Sequence, residues 1–169
     1  MSRSPPLRAR RRAGFTLIEM VVVVAIVGIL ATAALPLQQM ALRRSQEAAL
    51  REGLRSLRGA LDAHRRAVES RQIAAGADGS PWPATLDGLV RGLPLVDETG
   101  QPRPDGSRLY LLRRLPRDPF AGPALPAAET WALRASNSPP EAPAAGRDVF
   151  DVGSRSDAQA LDGSRYRDW

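Results

Sequence analysis

Between Phe15 and Leu35 the chain runs 21 residues with Glu19 as its only charge. As a helix rising 1.5 Å per residue, that run is long enough to cross the ~30 Å hydrocarbon core of a bilayer. Its centre, Met20-Val21-Val22-Val23-Val24-Ala25-Ile26-Val27, is strongly β-branched. In water such a segment favours a strand, but hydrocarbon requires every backbone group to be satisfied within the segment, which predicts a helix. Pro36 follows directly. It either kinks the helix by removing one hydrogen bond or marks the boundary between a membrane half and a soluble half. From Met40 the pattern turns amphipathic. Leu50, Leu54, Leu57, Leu61, His64 and Val68 are spaced four, three, four, three and four residues apart, which is one face of a helix. Glu47 with Arg51, and Asp62 with Arg66, are expected to pair at i and i+4 elsewhere on the helix surface. A helix from Phe15 to about Arg71 would measure roughly 85 Å.

After Ile73 glycine, proline, aspartate and serine take over. Ala75 to Pro81 reads as a loop, and Trp82 to Gly92 as a short helix with Leu86, Leu89 and Val90 inward. The tripeptide Asp-Gly-Ser recurs at 78–80, 105–107 and 162–164. Turn chemistry explains it, because Asp and Gly both accept the backbone angles that tight turns need. Leu109 to Phe120 is a short ordered segment ending in a proline-bounded turn. Thr130 to Arg134 and Asp148 to Val152 alternate apolar and polar residues as half-buried strands do, with an exposed loop at Ser138 to Pro143 between them.

Charge narrows the choice of partners. Every one of the 24 basic residues is arginine, and the formal charge is +6. Arg3, Arg8, Arg10, Arg11 and Arg12 precede the apolar run, and without them 19 arginines face 18 acids, a formal charge of +1. Basic residues concentrated before a span are a topology signal that keeps the N-terminus in the cytoplasm, and a nucleic-acid partner is not expected. With no cysteine and one histidine, neither a disulfide framework, a Cys or Ser–His nucleophile, nor a His/Cys zinc site is available. His64 lies on the apolar stripe and reads as a packed histidine, and the chain is expected not to be an enzyme.

The informative motif is Gly14-Phe15-Thr16-Leu17-Ile18-Glu19, preceded by arginines and followed by the apolar run. An acid inside a membrane span costs several kcal/mol unless it finds a partner. Two plain readings compete: a signal anchor whose glutamate snorkels to the headgroups, and a removable signal peptide cut near Ala31 to Ala34. The motif resembles the leader and first residues of type IV pilins and type II secretion pseudopilins. That resemblance implies cleavage after Gly14 by a prepilin peptidase and methylation of Phe15. It also implies pairing of Glu19 with the N-terminal amine of a neighbouring subunit, and a helix that loosens near Pro36 in the filament. Cleavage would create a cation at membrane depth, which needs a counter-ion as much as Glu19 does.

The run Leu115-Pro116-Arg117-Asp118-Pro119-Phe120 and the tail from Asp148 to Trp169 are similar to the G-type, or major, pseudopilin. That likeness implies calcium in the loop before the C-terminus, with Asp157, Asp162 and Ser164 as the candidate ligands. Arg155, Arg165 and Arg167 depart from the family's more acidic loop and oppose a cation; they would pair with the acids instead.

The resulting expectation is a pilin-like α+β fold, divided into a cleaved leader (1–14), a transmembrane and assembly helix (15–36), the amphipathic soluble half of that helix (37–72) and a small domain with a short antiparallel sheet (73–169). The resemblance implies a structural subunit of a secretion pseudopilus, anchored once in the inner membrane with its C-terminal domain in the periplasm. Its partners would be copies of itself, other pseudopilins, the prepilin peptidase and the inner-membrane assembly platform. The alternatives are a type IV pilin for adhesion, motility or DNA uptake, and a signal-anchored periplasmic binding module.

Overall fold

The β-branched run is helical. In the computed structural model, which describes residues 14–76 and 78–169 and, for 33–36, the backbone alone, helix α1 spans Leu17–Glu69. The leader arginines lie outside the described residues. Two compact units divide the chain, one ending at Ala41 and the other running Leu42–Trp169.

In the first unit the side chains from Phe15 to Thr32 are all exposed, and an 18-residue window has a mean hydropathy of 2.7. A helix with an apolar surface all round is built for a lipid surrounding, and its backbone bonds close within the segment. Thr16 starts it: its Oγ1 accepts the Glu19 N–H at 3.3 Å, as an N-cap does. Thr32 donates its hydroxyl back to the Ile29 carbonyl at 2.7 Å, so that polar group too is satisfied inside the helix.

In the second unit the predicted stripe is the core. Leu50, Leu54, Leu57, Leu61 and His64 are buried, while Val68 is only half-buried and Ala67 takes its place. At 3.6 residues per turn a fixed face drifts, and by the last turn it has moved by one residue. Trp82, Leu86, Leu89, Trp131, Val149, Val152 and Tyr166 pack against the leucines. Gly53 lets Trp131 approach the helix closely, since a Cβ there would sit 3.0 Å from the indole Cη2.

The rest of this unit is short pieces. The helix expected over Trp82 to Gly92 shrinks to α2, Gly88–Arg91, although Leu86 and Leu89 are buried as predicted. Strand β1 (Leu93–Pro94) pairs antiparallel with β2 (Arg108–Leu109). Strands β3 (Trp131–Arg134) and β4 (Asp151–Ser154) form a second antiparallel pair, with Trp131 opposite Ser154 and Arg134 opposite Asp151. The later strand therefore starts three residues beyond the expected Asp148. The Val149 N–H is used by the Pro83 carbonyl at 2.8 Å instead of by β3. A long helix with a small C-terminal part of short antiparallel sheets is the α+β fold the pattern predicts.

Candidate functional site

The junction residues sit where the helix begins. Gly14 is exposed, with no atom of the described residues within 4 Å of where a Cβ would stand, and Phe15 is 73% exposed. Thr16 caps the helix, and Glu19 lies exposed in the first turn. Gly14, Phe15 and Glu19 thus fall within six residues at the head of α1, all three exposed. Pro36 lies within the bounds of α1.

The Leu115–Phe120 motif is an anchor for the fold. Asp118 is buried; it accepts the Phe120 N–H at 2.8 Å and the Ser154 hydroxyl at 2.6 Å, and its own N–H goes to Thr130 Oγ1. The Pro116 carbonyl accepts the Trp131 Nε1–H at 2.9 Å. Phe120 stacks on Tyr166 with ring centroids 4.0 Å apart. One six-residue stretch therefore ties the β3–β4 pair to the C-terminal segment.

The candidate metal ligands divide. Asp162 and Ser164 are brought together: Asp162 Oδ1 accepts the Ser164 N–H at 3.0 Å and its hydroxyl at 2.6 Å. Those two bonds hold the Asp162 carboxyl below the usual carboxylate range. Asp157 is engaged elsewhere, accepting from Arg167 Nη1 at 2.8 Å.

Two groups were read differently from sequence. Glu47 does not pair with Arg51 on the surface. It is buried, and its Oε1 accepts the Leu161 N–H at 2.8 Å and the Tyr166 hydroxyl at 3.0 Å. Arg51 turns instead to Asp162 at 3.5 Å and lies over the Trp169 ring at 4.2 Å. The expected Asp62–Arg66 pair is replaced by Arg65–Glu69 at 3.1 Å. A signal for Glu47 was present: extending the stripe back three residues from Leu50 lands on it. Asp148 gave no such signal. It is buried and accepts from the Ser80 hydroxyl at 2.5 Å and from the Ser136 N–H and hydroxyl at 2.8 and 2.7 Å.

Comparison with known proteins places these features. Residues 9–35 match the family model described as the prokaryotic N-terminal methylation motif. Over 119 residues, 69% of this chain and 74% of the relative, the sequence is 30% identical to the type II secretion system core protein G of Pseudomonas aeruginosa. No solved structure matches. An apolar helix of membrane length, a methylation motif at its start and a small α+β part define a pilin-like protein, a class of structural subunits and not of enzymes. Within that class the chain belongs to the type II secretion core protein G family, the G-type pseudopilins. Its helix and motif are consistent with a single-pass protein of the inner membrane.

Proposed function

We propose that this chain is a subunit of a type II secretion pseudopilus. A prepilin peptidase cuts it between Gly14 and Phe15, the new amine is methylated, and the inner-membrane platform assembles it with copies of itself and other pseudopilins. The observation that carries this reading is the first turn of α1. An exposed carboxylate, Glu19, stands four residues after Phe15, with Gly14 and Phe15 also exposed, at the head of an apolar run whose side chains are all exposed from Phe15 to Thr32. Cleavage leaves an ammonium at that depth, and pairing it with the carboxylate of a neighbour neutralises two charges that hydrocarbon penalises. The leader arginines hold the N-terminus in the cytoplasm and send the C-terminal part to the periplasm. Residues 15–36 form the assembly helix, and Pro36, which offers no N–H, is where it loosens in the filament. Identity to a secretion core protein over 119 residues favours secretion over a type IV pilus.

Replacing the acid tests the pairing. Glu19→Ala is expected to insert into the membrane normally, because it removes the one charged group from the span. Filament yield and secretion of a reporter exoprotein are expected to fall by more than about tenfold, because the neighbour's amine is left unpaired in hydrocarbon. Cross-linking of membrane fractions reads the yield. Wild-type assembly of the alanine variant would contradict the role given to Glu19.

A further inference from the structure

Calcium demands six to eight oxygen ligands, and in the C-terminal loop each of the three side chains that sequence offers it already accepts a protein hydrogen bond. Asp162 Oδ1 receives both donors of Ser164 across the turn at Gly163, and its Oδ2 faces the Arg51 guanidinium at 3.5 Å. The Ser164 oxygen accepts the Trp169 Nε1–H at 2.6 Å, and Asp157 accepts from Arg167. Three carbonyls of the loop are also used. Ser164 O accepts the Ala160 N–H at 2.7 Å, Gly163 O accepts Gln159 Nε2 at 2.9 Å, and Ala158 O accepts the Tyr166 N–H at 3.2 Å.

These exposed pairs do not by themselves hold a loop, since surface ion pairs contribute little. The buried part does. Glu47 reaches out of α1 and takes the Leu161 N–H and the Tyr166 hydroxyl on a single oxygen. Tyr166 is fully buried, stacked on Phe120 at 4.0 Å and edge-on to Trp169 at 5.2 Å. A carboxylate anchored on a helix, gathering a main-chain N–H and a phenol from the two sides of the Asp162–Gly163 turn, closes the loop as a central cation would, but with the opposite sign of charge.

We infer that segment 155–169 closes on this Glu47–Tyr166–Leu161 clamp and folds without a divalent cation, so that the loop is insensitive to calcium and its chelators. The residues do not fit the metal that the G-type likeness implies.

The test uses the purified full-length protein in detergent and follows thermal unfolding by tryptophan fluorescence, with excess calcium and with a chelator. Calcium titration calorimetry runs alongside. The expected result is superimposable melting curves, no binding heat, and a lowered melting temperature in both Glu47→Gln and Tyr166→Phe that is the same with and without calcium. Tyr166→Phe removes only the hydroxyl and keeps the ring packing, so it reports on the clamp even where a Glu47 variant folds poorly. A rise of more than about 5 °C with calcium that Asp162→Ala abolishes would overturn the inference, as would unchanged melting in both clamp variants. None of these readings depends on how Phe15 is processed.

Discussion

Three buried carboxylates, Glu47, Asp118 and Asp148, each gather donors from segments distant in the sequence, and together they take the place of the missing disulfides. Burial alone would raise the Asp148 carboxyl, but the bonds from the Ser136 N–H and from the Ser80 and Ser136 hydroxyls outweigh it and hold it below its ordinary value. His64 is buried with Nδ1 2.9 Å from the Pro81 carbonyl; desolvation lowers its pKa, and that bond only partly offsets the effect. Both signs act in the same direction. The unfolded chain binds the His64 proton more readily, so stability declines as pH falls from about 6.5 through the lower folded value. The depressed Asp148 carboxyl stabilises the fold above its unfolded value of about 3.9, and that contribution is lost as pH falls through the folded value. Melting temperatures measured across pH should therefore drop in two windows. His64→Gln should flatten the upper one, whereas Asp148→Asn should flatten the lower one and cost ~1–3 kcal/mol at neutral pH. A two-window profile unchanged in both variants would contradict these roles. At this scale the turns were legible: Gly79, Gly106 and Gly163 have φ of 74, 69 and 88°, as the Asp-Gly-Ser repeats imply. The buried acids were legible only in part: the leucine stripe extended back reaches Glu47, but its partners lie 114 and 119 residues away and nothing local marks them.

Elements were legible where a period runs long. The leucine stripe of α1 fixed its buried face, whereas β4 was misplaced because the Val149 amide serves the Pro83 carbonyl, a choice that alternation of residue types does not encode. The same helix offers a paired test of packing against propensity. Gly53 and Gly59 both lie inside it, and alanine at either site gains ~0.5–1 kcal/mol of helix propensity. At Gly59 no neighbour among the described residues lies within 4 Å of the new Cβ. At Gly53 the Cβ meets Trp131 at 3.0 Å, and that indole is fully buried and held by its bond to Pro116, so it has nowhere to yield. In detergent, Gly59→Ala should melt higher than wild type and Gly53→Ala lower. Two variants that shift alike would show that Trp131 moves freely.

For the whole molecule, the N-terminal motif was the most legible part because it is contiguous: the Gly14–Phe15 bond, the helix cap and the acid occupy six successive residues, Gly14 to Glu19, inside the stretch that the methylation-motif model matches. The central claim is that this segment is processed as in pilins, and mass spectrometry of the N-terminal peptide from protein isolated from its native host tests it most directly. The account predicts a chain beginning with N-methylated Phe15. The same measurement on Gly14→Val should show the uncut precursor, still membrane-inserted because the apolar span is unchanged. A wild-type protein that begins at Met1, or one cut near Ala33 or Ala34, would contradict the account.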